Sequence, residues 1–341
     1  MVSILRCVVL RKPREMVLED RPAPAGPSKG WALIEVKAVG ICGSDMHAYR
    51  GTQPFQTYPR IPGHEMSGVL VRPTSRLKEG QPVTVEPLLR CGKCYPCRQG
   101  RYNCCVDLKV MGVHVDGAMC EHVRVPEQLV FPVSEKIPID QAALCEPVAV
   151  ACQAVKRARV ASGDSVLVIG AGPIGLMVMQ VARAKGAKVF TSDIDPDRLR
   201  LAKRLGADEA IDPGKEDLSD VMRGLTDGDG PNVVIEAVGS EATINQAVQV
   251  VSAAGRVVLV GLFGETMSFK PIILIRKELD FLGSRNSSGV FPEAIGLIAA
   301  GKVVLANLIT HRFSLEESPE MFRRIDEGRI RPVKPVLMVG V

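Results

Sequence analysis

Val166-Leu-Val-Ile-Gly-Ala-Gly-Pro-Ile-Gly175 decides how this chain folds. Residues 166–169 are apolar throughout, as expected of a short strand buried on both faces. A G-x-G-x-x-G turn follows on Gly170, Gly172 and Gly175, and the apolar run 176–184 predicts a helix after it. In such a turn the first glycine makes the bend. The second lets backbone approach a pyrophosphate, and the third lets helix pack on strand. The helix N-terminus then offers unpaired N–H groups and a positive dipole end to the phosphates. A second strand, 187–192, runs into Asp193, at about the 20-residue spacing expected of an acid that binds the ribose hydroxyls of NAD. Strand, helix and acid fall into register, which argues against a glycine loop with no ligand.

Outward from this stretch the alternation continues. A helix at 196–205 and strands at 209–211, 233–237 and 256–261, with helices between them, predict a doubly wound parallel sheet. Residues 1–147 have no such rhythm. Their β-rich runs, 31–39, 66–71, 82–87 and 120–125, alternate with Gly/Pro turns, as in an antiparallel or barrel-like domain. After residue 288 come a helix, 292–300, and a strand-like end, 337–339. The expected organisation is a first domain at 1–147, a parallel α/β domain at 148–287, and a segment at 288–341 that returns to pack with the first.

The 341 residues suffice for two domains, and the net charge of +5 is mild. Basic residues are scattered and the few aromatics do not interleave with them, so nucleic-acid binding is not expected. No apolar run approaches the ~18 residues of a membrane span, and Arg6 interrupts the apolar start, so neither a membrane segment nor a signal peptide is expected. Ten cysteines in a chain of this class point to a reducing cytoplasm, where clustered thiols more often hold metal than pair as disulfides.

Cys91, Cys94, Cys97 and Cys105 have the spacing C-x2-C-x2-C-x7-C. Four thiolates this close can close a tetrahedral shell around zinc with no open position, a structural site. Cys104 is a possible substitute for Cys105. An iron–sulfur cluster is the rival reading, but its usual run continues x3-C-Pro, and here Val106 follows a later cysteine. A second set is dispersed: Cys42, His64 with Glu65 beside it, and Glu146. A catalytic zinc needs three protein ligands and one exchangeable position, which these residues can supply. Spacing alone does not decide between that and a buried thiol with a satisfied histidine.

With these residues in order, the chain resembles the medium-chain, zinc-dependent alcohol and polyol dehydrogenases over essentially its whole length. The matching segments are Gly40-Ile-Cys-Gly-Ser-Asp-Met-His47, Gly63-His-Glu-Met-Ser-Gly68, the four-cysteine lobe, Glu146-Pro147 and the glycine turn. The resemblance implies a GroES-like β-barrel catalytic domain with a Rossmann domain inserted before its C-terminal segment. It implies a catalytic zinc on Cys42, His64 and Glu146, with Glu65 as alternate ligand, and a structural zinc on the lobe. Asp45 would hydrogen-bond His64 and fix its tautomer. Ser44 and His47 match a relay that takes the alcohol proton through the cofactor ribose while hydride passes to NAD. The implied cofactor contacts are Gly170, Gly172, Pro173, Ile174, Gly175, Asp193, Arg198, Gly261, Leu262, Arg285 and Asn286. A homodimer or homotetramer is implied as well. The third ligand is a glutamate, as in the polyol and threonine branches, and the segment 69–79 is shortened.

The segments 47–60, 111–117 and 282–286 resemble those of bacterial hexonic-acid dehydrogenases, the L-galactonate and L-gulonate 5-dehydrogenases. A carboxylate substrate needs a cation or a cluster of donors, for which Arg50, Arg60, His114 and Arg285 are the candidates. A polyol dehydrogenase and a non-catalytic binding protein on the same fold are the alternatives. Every zinc and relay position is kept, which weighs against the second.

Overall fold

The computed structural model describes residues 4–24, 26, 28–261, 267–268 and 270–340. The chain opens with β1 (Ile4–Lys12), β2 (Glu15–Pro22), β3 (Trp31–Gly40), α1 (Gly43–Arg50), β4 (Glu65–Leu70), β5 (Pro82–Val85), β6 (Leu88–Leu89) and α2 (Tyr95–Arg98). Next come β7 (Lys109–Val110), β8 (His122–Pro126), β9 (Val130–Pro132), α3 (Ile139–Ala142) and α4 (Cys145–Arg157). The alternating part holds β10 (Ser165–Ile169), α5 (Pro173–Ala184), β11 (Lys188–Ser192), α6 (Pro196–Arg204), β12 (Glu209–Ile211), α7 (Leu218–Leu225), β13 (Val233–Glu236), α8 (Glu241–Val250), β14 (Arg256–Leu259), α9 (Ile272–Lys277) and β15 (Asp280–Gly283). The chain closes with α10 (Phe291–Ala299), β16 (Ile309–Ser314), α11 (Ser318–Asp326) and β17 (Lys334–Met338).

Two compact units result. One comprises Met1–Glu146, Ala294–Ala299 and Leu305–Val341; the other comprises Pro147–Glu293 and Ala300–Val304. In the first, β3 is the strand on which the sheet branches. It pairs antiparallel with β8 over its first half, with β4 over its second half and with β17 at its end. The sheet runs β16-β17-β3-β4-β5-β9, with β8 joined to β3. Thus the last strand of the chain lies beside the strand that leads to Cys42. Alternation along β3, with Ala32, Ile34, Val36 and Ala38 buried, turns one face into the core of this unit.

The second unit is a six-stranded sheet in the order β12-β11-β10-β13-β14-β15, parallel throughout. Counting from β10, that is the 3-2-1-4-5-6 order of the dinucleotide-binding folds, and the order reverses between β10 and β13. Val166, Leu167 and Val168 are fully buried, so the apolar run does make a two-sided strand. The helix after the turn begins three residues before the apolar run, at Pro173. Gly172 is its N-cap, and proline is pre-shaped for the first helical position. β14 stops short of the expected end because the N–H groups of Val260 and Gly261 converge on the one carbonyl of Glu236. The sixth strand, β15, lies in a stretch whose sequence gives no strand signal; it begins with a charge and ends at Gly283. Among the described residues no helix is long and apolar enough to cross a membrane.

Candidate active site

The glycine turn is built as its spacing predicts. Gly170 has φ of 100°, and a Cβ there would press on Val238. A Cβ on Gly175 would collide with the Gly170 carbonyl, so this position fixes how closely α5 approaches β10. Gly172 differs: its φ is −67°, and nothing lies within 4 Å of where a Cβ would be. The space in front of the α5 N-terminus, led by Pro173 and Ile174, is therefore open, as a bound pyrophosphate requires.

Asp193 lies against this turn. Its Oδ2 accepts the Ala171 N–H at 2.7 Å and its Oδ1 accepts the Asp195 N–H at 2.9 Å. Arg198 Nη1 stands 3.8 Å from the same carboxylate. Asp195, not Asp193, caps α6, accepting the N–H groups of Asp197 and Arg198. Gly261 follows β14 in close contact with the Gly239 backbone. Arg285 and Asn286 follow β15, Asn286 in the left-handed region at φ of 44°. Leu262 lies outside the described residues.

In the other unit, the sulfurs of Cys91, Cys94, Cys97 and Cys105 all lie within 4.8 Å of one another. The short helix α2 sets Cys94 and Cys97 one turn apart, and Cys105 packs on Leu88 and Leu108. The N–H groups of Val106 and Cys97 hold the Cys94 thiol down to about 6, whereas burial and the neighbouring sulfurs of Cys94 and Cys105 push Cys97 up to about 12, so the thiols of the lobe share protons. The Cys91 N–H points at Cys105 Sγ, 3.3 Å away. Cys104 is not part of this group. The donor set fits a closed, structural zinc site.

The second donor cluster forms where α1 and β4 start. Cys42 is the N-cap of α1, and Asp45 Oδ2 accepts its N–H at 2.8 Å. Cys42, His64 and Glu65 bring a sulfur, a ring nitrogen and a carboxylate oxygen within 4.8 Å of one another. His64 Nδ1, on the side of Asp45, and Glu65 Oε2 are buried without a hydrogen-bond partner, and the carboxylate oxygen is placed as an open ligand position would be. The chemistry of this set fits zinc. Burial works against a charge on His64, but Asp45 and Cys42 outweigh it and hold the imidazole well above its usual range.

Three expectations change here. Glu146 is buried in the first turn of α4, its carboxyl pushed up to about 7, chiefly by burial. It is not among the three residues, Cys42, His64 and Glu65, whose donor atoms lie within 4.8 Å of one another, although it is near enough to interact with the charges of His64 and Glu65. Asp45 Oδ1 is 3.6 Å from His64 Nδ1, too long for a hydrogen bond, since its other oxygen is held by the helix cap. Arg50 and Arg60 are not open cations. Arg50 Nε lies 2.7 Å from Asp326 in α11, and Arg60 pairs with Asp116 at 3.2 Å and donates to Thr57 at 2.6 Å. His114 Nδ1 accepts the Val110 N–H, and its ring stacks on Phe55. Ser44 is half-buried and His47 exposed, three apart on α1 and so on one face; His47 Nδ1 is 3.0 Å from Thr52 Oγ1.

The residue that sequence reasoning missed is Lys334. It is buried in β17, donating to Glu65 Oε1 at 2.5 Å and to the Ile41 carbonyl at 3.0 Å. A lysine set in an otherwise apolar strand was the one available signal.

Comparison with known proteins gives the family. A family model for the alcohol dehydrogenase GroES-like domain matches residues 28–135, and one for zinc-binding dehydrogenases matches residues 173–300. L-galactonate-5-dehydrogenase of Escherichia coli K12 is 38% identical over 328 residues, 95% of this chain and 96% of that protein. The RspB alcohol dehydrogenase of E. coli CFT073, solved with NADH, is 33% identical with a TM-score of 0.91, over 98% of this chain and 99% of that one. A zinc-binding dehydrogenase of Sinorhizobium meliloti 1021, solved with NADP, is 31% identical with a TM-score of 0.90, over 98% and 99%.

Proposed function

This chain belongs to the zinc-binding alcohol dehydrogenases with a GroES-like domain, and from that membership we propose that it oxidises a hexonic acid, such as L-gulonate or L-galactonate, at C5 with NAD as acceptor. The observation that carries the chemistry is the Cys42, His64 and Glu65 cluster, half-buried at the thiol and buried at the other two, with Glu65 Oε2 left without a partner. The choice of substrate is supported by the likeness to the L-galactonate enzyme.

When bound, zinc polarises the substrate hydroxyl and lowers its pKa, and NAD accepts the hydride. Cys42, His64 and Glu65 would hold the metal, with Glu146 the buried carboxyl nearby. Cys91, Cys94, Cys97 and Cys105 would hold the structural zinc. Ser44 Oγ takes the alcohol proton as it gives up its own, and His47, on the same face of α1, is the group that accepts the released proton and passes it to solvent. Gly172 leaves room for the pyrophosphate, and Asp193 accepts hydrogen bonds from the ribose.

The ion pairs of Arg50 and Arg60 favour one second reading, a neutral polyol as substrate. A screen of NADH formation by the zinc-loaded enzyme separates the two. For one hexonate, kcat/KM is expected to exceed that of the polyol of matching stereochemistry by about 10–100-fold, the scale of a charged hydrogen bond to substrate. Equal efficiency on acid and polyol would discard the hexonate.

A further inference from the structure

Glu65 is held in the metal cluster by residues that are not ligands. It sits opposite Gly40 across the β3–β4 pairing. Any Cβ on residue 40 would collide with Glu65 Oε2, and would also meet Leu144 Cδ2 at 2.9 Å. The absence of a side chain at Gly40 is therefore what gives the carboxylate its place. Oε1 is taken by the Lys334 ammonium, whereas Oε2 is buried and unpartnered. The same ammonium donates to the carbonyl of Ile41, the residue before Cys42. It is held there because β17 pairs with the end of β3, Val336 opposite Gly40.

We propose that Lys334, with Gly40, is a positioning residue of the metal centre. It anchors Glu65 by Oε1 so that Oε2 is the oxygen presented to the metal, and it ties the approach to Cys42 to the same point. One cation from the last strand thus sets two ligands from separate parts of the chain, and makes Glu65 rather than Glu146 the carboxylate of the resting shell. Lys334 reaches neither substrate nor reacting atoms in this role; it acts through Glu65.

The inference rests on the proposed metal centre, and its test separates the two. The full-length protein is prepared with zinc in the four-cysteine lobe and cobalt(II) in the Cys42 site, whose visible absorption bands report the ligand set. Lys334→Met is expected to shift those bands and to weaken cobalt binding about 10–100-fold, the usual effect of losing a partner behind a ligand. Lys334→Arg, which keeps the charge and the donors, should restore most of both. Glu65→Gln, with Lys334 intact, should reproduce the band shift. Unmodified bands and affinity in Lys334→Met overturn the assignment. If that variant fails to fold, unchanged bands in Glu65→Gln overturn it instead. Cys42→Ala is the control on the premise: it should bind one metal per chain rather than two. Retention of both metals in Cys42→Ala would remove the metal centre itself, whereas one metal there with unaltered Lys334→Met bands removes only the role of Lys334.

Discussion

At the scale of single residues, the proposal that Asp193 selects the cofactor can be tested. Its carboxylate is fixed by two backbone N–H groups beside the glycine turn, and each oxygen keeps a further lone pair for a ribose hydroxyl. The 2′-phosphate of NADP would meet that charge at short range, where like charges repel strongly. Related structures hold either cofactor, so the family does not decide this point. The unmodified enzyme should prefer NAD, and Asp193→Ala should narrow the ratio of kcat/KM values for NAD and NADP. Comparable values before mutation would mean that Asp193 does not face the ribose. Asp326 illustrates the opposite case, a charge with a structural task. Hydrogen bonds from Arg50 and Arg14 hold its carboxyl below the usual carboxylate range. A group whose pKa is depressed on folding adds stability above its unfolded value, about 3.9, and loses it as the pH falls through the folded value. Asp326→Asn should therefore lower stability modestly near neutrality, by roughly 1 kcal/mol or less for pairs this exposed. The difference should vanish in acid. Denaturant titrations at several pH values check this; a constant difference would assign the effect to packing.

At the scale of elements, the turn into α5 and the helix α1 each make a separable prediction. Gly175→Ala drives a methyl group into the Gly170 carbonyl, so it should destabilise the unit by about 1–3 kcal/mol or more, as overpacking does. Gly172→Ala meets no protein atom and should leave the melting temperature nearly unchanged while raising KM for NAD. Thermal melts with cofactor titrations distinguish them, and a reversal of the two effects would misassign the glycines. On α1, Ser44→Ala removes the hydroxyl that the proposed relay assigns to the alcohol proton. With hydride transfer rate-limiting, kcat should fall about 10²-fold or more, and His47→Ala should cost less because its side chain is exposed and water can replace it. An unchanged kcat in Ser44→Ala ends the relay assignment.

At the scale of the whole molecule, two metal centres of different character share one chain, and elemental analysis should find two zinc ions per subunit. Stoichiometric iron would contradict the four-cysteine reading. Cys94→Ser should chiefly reduce stability, and Cys42→Ala should chiefly abolish turnover in a folded protein. The sequence by itself determined the features whose residues are near neighbours along the chain. These are the glycine turn with its strand and helix, the four-cysteine lobe, the spacing of Ser44 and His47 on α1, and the second strand that runs into Asp193. Each is encoded within a turn or two of backbone, where geometry follows from local spacing. Only the tertiary structure decided which groups satisfy one another across the chain. Arg50 and Asp326, 276 positions apart, remove a candidate substrate cation. Lys334 and Glu65, 269 apart, place a buried cation behind the metal cluster, and Gly40 makes room for the carboxylate. The contacts around Glu65 depend on β17 pairing with β3, and β3 with β4, in one register. That register is set by the burial of a whole sheet face, a property of the assembled strands that no short stretch of sequence carries.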